Sequence, residues 1–524
     1  MSLNLPAPSP PIPPPPPPPP PPRHTAPPLP PGDLISIALG RDATSLFECY
    51  HSQVSAKRVA SWLTDRSRVR YVGNLAQPVP GSPDAPDPNE TISARRAALR
   101  TPAFFNDVNE RVHAVLAERG LNRHSKPIWA ALHLGFLLAL LAITSWKALV
   151  GGSRMWAAAL GVVMGRMGFM MHHGNHAGLG GSDQQWLNRV GSRVMDMLGG
   201  SSLVWRHEHQ IAHHLAPNEL GHDNDCEIGE PLVRMHPDLP LGWWMPIQPV
   251  IVTLGMTMVL FKVRSLLRSS SKNLLLSSSF PSCLFDLCSS STSSSSSSSR
   301  LLLLLLLLLL LLLLLLLLRT QWFISDFGDF LRGRVGSAQF AASPRDWLNL
   351  ILWKTFALRY FLVPIYVHGV WEGIKLFSIA EIICSLYLAN TFVVNHIQEG
   401  LVPEDNEAHW AVKQVQGSAN WSSGSYWANV ASGGLNHQIE HHLFPHLSSA
   451  RYPVISPAVK AACEAHGLEY RTFGHYPSAW WGFIQTLLKY GNEENLHACE
   501  EQKNRERLVA ETETEDEEAR KKTR

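Results

Sequence analysis

Residues 433–445 read Gly-Gly-Leu-Asn-His-Gln-Ile-Glu-His-His-Leu-Phe-Pro. At the centre of this stretch, Gln438-Ile439-Glu440-His441-His442 sets two adjacent imidazoles three residues behind an amide. Two more histidine clusters stand upstream: His172-His173-Gly174-Asn175-His176, and His209-Gln210-Ile211-Ala212-His213-His214. Positions four apart share a face of a helix, so the spacing predicts that His172 with His176, and His209 with His213, each close on one metal ion. His214 and His442 point about a quarter-turn from their neighbours and are expected to reach a second metal. Neutral imidazole suits iron, copper and zinc. Soluble di-iron bundles rely instead on carboxylates and a Glu-x-x-His pattern, which these clusters lack. His207-Glu208 begins like the His-Glu-x-x-His of zinc proteases, but Ile211 stands where that pattern has its second histidine. Each cluster lies beside a long apolar segment. Several unpaired imidazoles near a bilayer are costly without a shared partner, so the three clusters are read together as one metal centre.

Outward from the clusters, apolar segments at roughly 128–150 and 154–171 flank Gly151-Gly152-Ser153 and predict a helical hairpin. It returns the chain to its starting side, where the first cluster begins. A second pair, roughly 347–371 and 374–394, predicts another hairpin that ends at Asn395-His396. Arg95, Arg96, Arg100, Arg111, Arg119 and Arg123 precede the first span and favour the cytoplasmic side. All three clusters must meet on one side, so the spans between the second and third must be even in number. Residues 241–262, with Pro246 and Pro249 near their start, either span or lie in the interface. Residues 264–300 are serine-rich and 301–318 are all leucine, long enough to cross. Parity requires that 241–262 and the leucines both span or that neither does. The expectation is neither, with 264–320 an insert of the kind a retained intron would encode. The expected fold class is therefore all-α integral membrane, with four transmembrane helices in two hairpins below a cytosolic histidine-cluster cap.

Composition adds exclusions. Forty-five basic and 43 acidic residues leave a net charge of +2, which gives no argument for a nucleic-acid partner. Seven cysteines without a CxxC pair make neither a disulfide framework nor a zinc ribbon and fit a reducing, cytosol-facing environment. The mean hydropathy of −0.04 averages polar ends with apolar middles and conceals the membrane segments.

The triplet HxxxH, HxxxHH and QxxHH resembles the membrane fatty acid desaturases, and the flank Gly433 to Pro445 resembles their front-end branch closely. The likeness runs from about residue 92 to about 490 with one interruption, and includes Trp205 before the second cluster and Asn224-Asp225 after it. It implies two iron ions held by His172, His176, His209, His213, His214, His441 and His442, with His396 fitting the family's extra ligand on the last membrane helix. Gln438 stands where other branches have histidine; its amide is expected to bond a ligand or bound water. His173, Asn218 and Asp225 are expected to support the ligands from behind, and His207 and His437 to lie beside them. Two places depart from the family pattern: His173 replaces the usual Asp, and Ala216-Pro217-Asn218 replaces Tyr-Thr-Asn. Neither removes a ligand position.

The resemblance also implies a reaction. Oxygen and two electrons from cytochrome b5 and its reductase remove hydrogens from adjacent carbons of a polyunsaturated acyl lipid. A cis double bond is left on the carboxyl side of an existing one, and water is released. Sphingolipid desaturases share the QxxHH box, lipid hydroxylases use the same irons, and an inactive membrane paralogue would keep the fold. The expected location is the endoplasmic reticulum membrane with the clusters facing the cytosol, with a plastid membrane as the alternative.

Residues 1–31 form a proline-dominated leader that favours polyproline II and builds no core. Residues 32–76, with Gly32-Asp33-Leu34, Gly40-Arg41-Asp42-Ala43-Thr44 and Phe47 to His51, resemble the second half of a cytochrome b5 haem pocket. His51 aligns with that family's second haem ligand, while Leu29 stands in place of the first, so this segment is expected to bind no haem. Residues 77–127 read as a linker and basic pre-membrane helix, 128–500 as the membrane domain, and 501–524 as a solvated charged tail.

Overall fold

The computed structural model describes residues 94–256 and 326–492, apart from residues 182, 183, 228, 230, 231, 337, 404 and 406. The proline-rich leader, the cytochrome b5-like segment with His51, the Ser/Leu tract and the charged tail lie outside the described residues.

After a short helix α1 (Ala94–Leu99), α2 (Ala103–Glu118) buries Phe104, Phe105, Val108, Val112 and Leu116, a three-and-four spacing that makes one apolar face. That face joins a core with Ile455, Val459 and Ala462 of α14 (Tyr452–Ala465) and with Ile439 and Leu443 of the third histidine cluster. The pre-membrane segment is thus packed into the cap.

α3 (Pro127–Ser145) starts on Pro127, whose missing N–H costs nothing at a first turn, and runs on through a π-turn at Trp146–Val150. Gly151 to Ser153 reverse the chain, and the Ser153 hydroxyl caps α4 (Arg154–Asn175) by accepting from the Trp156 N–H. Further on, α8 (Pro344–Ala357) opens with a Ser343/Asp346 capping box. α9 (Arg359–His368) continues it, and α10 (Val370–His396) follows. The reversal rests on Gly369 alone, at φ +82°, a conformation that side chains resist. This places the turn earlier and tighter than the expected 371–374. Among the described residues, three stretches are long and apolar enough to cross a membrane: Pro127–Val150, Pro344–His368 and Val370–His396. α4, about 33 Å long by its 22 residues, is not among them; its glycines, histidines and two arginines lower its apolarity.

α4 and α10 meet through small residues. A Cβ at Gly161 would run into the Ala380 carbonyl and Ile383, one at Gly165 into Tyr387, and one at Gly168 into Leu388. Glycines at this spacing let two backbones approach closely. The consequence is positional: His172 and His176 at the end of α4 and His396 at the end of α10 enter one assembly of histidines, in neighbouring groups.

The remaining elements close over those ends. α5 (Gln185–Met197) packs on the last turn of α4, where Gly174 abuts the backbone of Asn188 and Ser192. α6 (Ser202–Trp205) leads into a π-helix at Arg206–His213. α7 (Gln248–Gly255) is a short helix, about 12 Å by its eight residues, whose Val252 joins Phe483 and Leu487 of α15 (Tyr476–Asn492) in one apolar cluster. The continuation of 241–262 beyond Met256 lies outside the described residues. α11 (Trp410–Gln416), α12 (Tyr426–Ser432) and α13 (Gln438–Leu443) complete the cap. Among the described residues, sheet is confined to two pairs of two-residue strands. β1 (Arg334–Val335) lies antiparallel to β2 (Ala338–Gln339), and β3 (Asn420–Trp421) parallel to β4 (Thr472–Phe473), with Asn420 opposite Thr472.

Candidate metal centre

The second histidine cluster is π-helical over Arg206–His213. Hydrogen bonds in a π-helix close at i+5, so the side chain brought over His209 is that of His214. Their Nε2 atoms are 3.1 Å apart. His213 stacks on His209 at 5.2 Å and 25°, but its ring nitrogen groups with those of His396 and His442, so the geometry does not favour the expected closing of His209 and His213 on one ion.

The clusters interleave into two groups. His172, His176, His209 and His441 each present a ring nitrogen, all within 4.8 Å of one another, and so do His213, His396 and His442. His214 lies between the groups, stacked on His442 at 4.3 Å and 11° and 4.7 Å from His176. Except for His209, which is half-buried, these rings are buried. Trp205 covers His209, stacked at 4.3 Å and 23°.

Whether these rings suit metal ions is tested by their other nitrogens. His442 Nδ1 meets Gln414 Oε1 at 2.7 Å and His441 Nδ1 meets the Tyr452 hydroxyl at 3.3 Å. His213 Nδ1 meets Asp223 at 2.9 Å, and His396 Nδ1 meets the Gly417 carbonyl at 2.9 Å. An acceptor at Nδ1 holds the proton there and leaves the Nε2 lone pair facing inward. The Nε2 atoms of His441 and His442 are buried and make no hydrogen bond. Buried lone pairs that converge without a proton between them are unfavourable unless a cation stands among them. The all-imidazole donor set, backed by these acceptors, fits transition-metal ions, iron among them.

Electrostatics agrees. Burial, reinforced by the neighbouring histidines, pushes the pKa values of His209, His214, His441 and His442 well below the ordinary imidazole value. The rings are therefore neutral at pH 7, as ligands must be. Burial acts on His213 as well, but the carboxylates of Asp223 and Asp225 outweigh it and raise its pKa to about 9. A field that attracts a proton to His213 also attracts a metal cation.

The supporting residues expected from sequence fall in different places. Gln438, on α13, sets its amide Nε2 2.8 Å from His396 Nε2 while its Oε1 accepts from Asn395 at 3.2 Å. Asn218, at φ +59°, donates to the carbonyls of His396 and Leu401 at 3.0 and 2.6 Å, and its own N–H bonds Asp223. It thereby ties the end of α10 to the loop behind His213. Asp225 lies 3.5 Å from His213, farther than Asp223, so the carboxylate that chiefly holds this ring is one that sequence reasoning passed over. His173 is buried outside both groups, 5.8 Å from His172 by ring centroid. His207 bonds the Leu203 carbonyl and packs on Phe340, and His437 bonds Asn436. Gln414 and Tyr452 were also missed. They stand 28 and 11 residues from the rings they hold, and nothing in their own surroundings marks them. Asp223 did carry a signal, an acidic pair with Asp225 ten residues after His213.

Comparison with known proteins now bears on the site. The family model for fatty acid desaturases matches residues 288–474, a stretch that contains His396 and the third cluster. Over 483 residues the chain is 27% identical to an acyl-lipid (7-3)-desaturase, chloroplastic, of Chlamydomonas reinhardtii, covering 87% of this chain and 76% of that protein. It is 25% identical over 468 residues to an acyl-lipid (8-3)-desaturase of Physcomitrium patens, covering 86% and 81%. It is 26% identical over 384 residues to an sn-1 linoleoyl-lipid 6-desaturase of Arthrospira platensis, covering 70% and 87%.

Proposed function

The chain belongs to the fatty acid desaturase family, and from that premise we propose how its two histidine groups serve a front-end desaturase. It is an oxidoreductase of the acyl-lipid type and an integral membrane protein. In our reading His172, His176, His209 and His441 hold one iron, and His213, His396 and His442 the other. His214 faces both, and Gln438 serves the second group through His396. When bound, the irons supply the oxygen activation that hydrogen removal from an unactivated methylene demands.

The chain's own residues do the rest. The acceptors on Nδ1 of His213, His396, His441 and His442 lock each ring's tautomer and direction before any substrate arrives. The buried shell around them keeps water from the reacting carbons. A threaded acyl chain needs no chemistry from the protein beyond orientation. The substrate in this reading is a polyunsaturated acyl lipid, and the product carries a new cis double bond on the carboxyl side of an existing one. Electrons come from cytochrome b5 and its reductase.

α4 serves as a fourth span. It pairs with α3 as α9 pairs with α10, which puts all three clusters on one side, taken as the cytosolic face of the endoplasmic reticulum. The single observation that carries the reading is the pair of buried Nε2 atoms on His441 and His442, aimed at imidazoles from two other clusters with no hydrogen bond to satisfy them.

The test is fatty-acid profiling of yeast that supplies its own cytochrome b5, expresses the full chain and is fed polyunsaturated acids. A new double bond on the carboxyl side is expected, and it should vanish in the His441→Ala/His442→Ala variant. Folded, iron-loaded protein that makes no new unsaturated lipid would overturn the reading.

A further inference from the structure

Arg166 is a cation in the middle of α4, a helix read above as membrane-embedded, where a charged side chain is costly and calls for a partner. Its partner is not an acid. The guanidinium Nη1 donates to the main-chain carbonyls of Val430 and Ala431, the latter at 3.1 Å. These belong to the last turn of α12, where carbonyls lack partners within the helix and the helix dipole is negative. The guanidinium carbon also lies 5.4 Å from the centre of the Phe169 ring.

A second spanning helix grips the same point. The Tyr387 hydroxyl of α10 donates to the Ala431 carbonyl at 2.6 Å, and its ring meets Phe169 edge-on at 5.6 Å. Immediately afterwards α12 ends in Gly433 at φ +62°, where a Cβ would strike Phe169. Five residues on, the chain enters α13 with Gln438, His441 and His442. Arg166 lies six residues before His172 on α4, and Tyr387 nine before His396 on α10. The two helices that carry ligands of the other clusters therefore also hold the segment that delivers the third.

We propose that Arg166 and Tyr387 are positioning residues that clamp the carboxyl end of α12 and so set the register of Gln438, His441 and His442 against the rest of the centre. The inference rests on the reading of that centre as a metal site. Without the clamp, α12 is free to slide along α4 and α10, and the third cluster slides with it.

The test uses the full chain in phosphatidylcholine nanodiscs, as wild type, Arg166→Gln, Arg166→Lys and Tyr387→Phe. Three quantities are read: amide hydrogen exchange over residues 426–442 in metal-free protein, the visible spectrum and stoichiometry of added cobalt(II), and kcat and KM where activity is present. Arg166→Gln and Tyr387→Phe are expected to speed exchange over 430–442 and to change the cobalt spectrum. They should also lower kcat about tenfold while KM stays within about twofold, as for residues that orient ligands from behind. Arg166→Lys, which still donates to the carbonyls, should recover part of each loss. Unchanged exchange and spectrum in Arg166→Gln and Tyr387→Phe would overturn the clamp, as would a change in KM alone or a lysine variant as damaged as the glutamine one. Should Arg166→Gln fail to fold, Tyr387→Phe, which removes a single hydrogen bond, decides by the same criteria. If the exchange and cobalt changes appear but the wild type desaturates nothing, the clamp stands and the desaturase reading falls.

Discussion

The two histidine groups are built from the same residue type and supported in opposite ways. The group of His172, His176, His209 and His441 is held largely by packing: Trp205 lies flat on His209 and meets His172 and His176 edge-on, and the hydrogen bonds of His441 to Tyr452 and of His176 to Gln210 are long, at 3.3 and 3.4 Å. The group of His213, His396 and His442 is held by short hydrogen bonds that its Nδ1–H groups donate to a carboxylate, a main-chain carbonyl and an amide oxygen, and Gln438 stands beside it. One group has four imidazoles; the other has three and the Asp223 carboxylate behind it. The difference teaches that a donor set alone does not define a site. The acceptors behind the rings decide how much negative field a metal ion bound there would feel, and the two groups differ in those acceptors.

The comparison breaks most visibly if a ligand is removed from each side. Alanine at His176 and alanine at His442 should each abolish turnover and lower iron from about two per chain to about one. Mössbauer spectra should lose a different component in each variant. Loss of both irons in either variant would mean that the groups fill as a unit.

A smaller effect is expected from Asp223→Asn. It keeps the shape beside His213 and deletes the charge, so metal affinity should fall about 10- to 100-fold at the second group, and the first group should keep its ion. Titration with metal, followed at both positions, checks this; equal weakening of the two would erase the proposed inequality.

The smallest effect sharpens the contrast without metal. His209 and His441 are kept neutral by burial, so the folded protein resists protons that the unfolded chain accepts, and their contribution is lost as pH falls below about 6.5. His213 shifts the other way. Its pairing with Asp223 contributes fully below its unfolded value and is lost as pH rises through about 9. The thermal midpoint of metal-free protein in detergent should therefore peak near pH 6.5 and fall from there toward pH 9, and Asp223→Asn should remove the alkaline fall while leaving the acid one. An alkaline limb that survives Asp223→Asn would sink this assignment.

Much of this was legible beforehand, and the exceptions have physical causes. The spacing of His172 and His176 placed both on one helical face, and they do face one group. Long apolar runs located α3 and the α8–α10 stretch to within a few residues. The partition of the second cluster was not legible, because a four-residue spacing means one face only in an α-helix, and nothing in Arg206–His213 announces a π-turn. Asp223, Gln414 and Tyr452 went unseen because their roles depend on tertiary approach. The helix expected over 154–171 is α4, and the glycines and Arg166 that lower its apolarity are the contacts it makes with α10 and α12. The short α7 shows the opposite case, an apolar run whose described part is spent covering α15.

A π-turn is a helical turn carrying one surplus residue. Deleting any single residue between Arg206 and Ala212 would let the backbone relax to the α-helical repeat and swing the rings downstream by about 100° relative to those upstream. Ile211 and Ala212 can then be exchanged for other small or apolar residues over evolutionary time, while their number cannot change. The exposed turn at Gly221-His222 carries less restriction on length, since lengthening a surface connection costs little. In descendants of this chain, insertions and deletions should be absent from the second cluster even where its letters drift, so that length, more than identity, is what selection guards there.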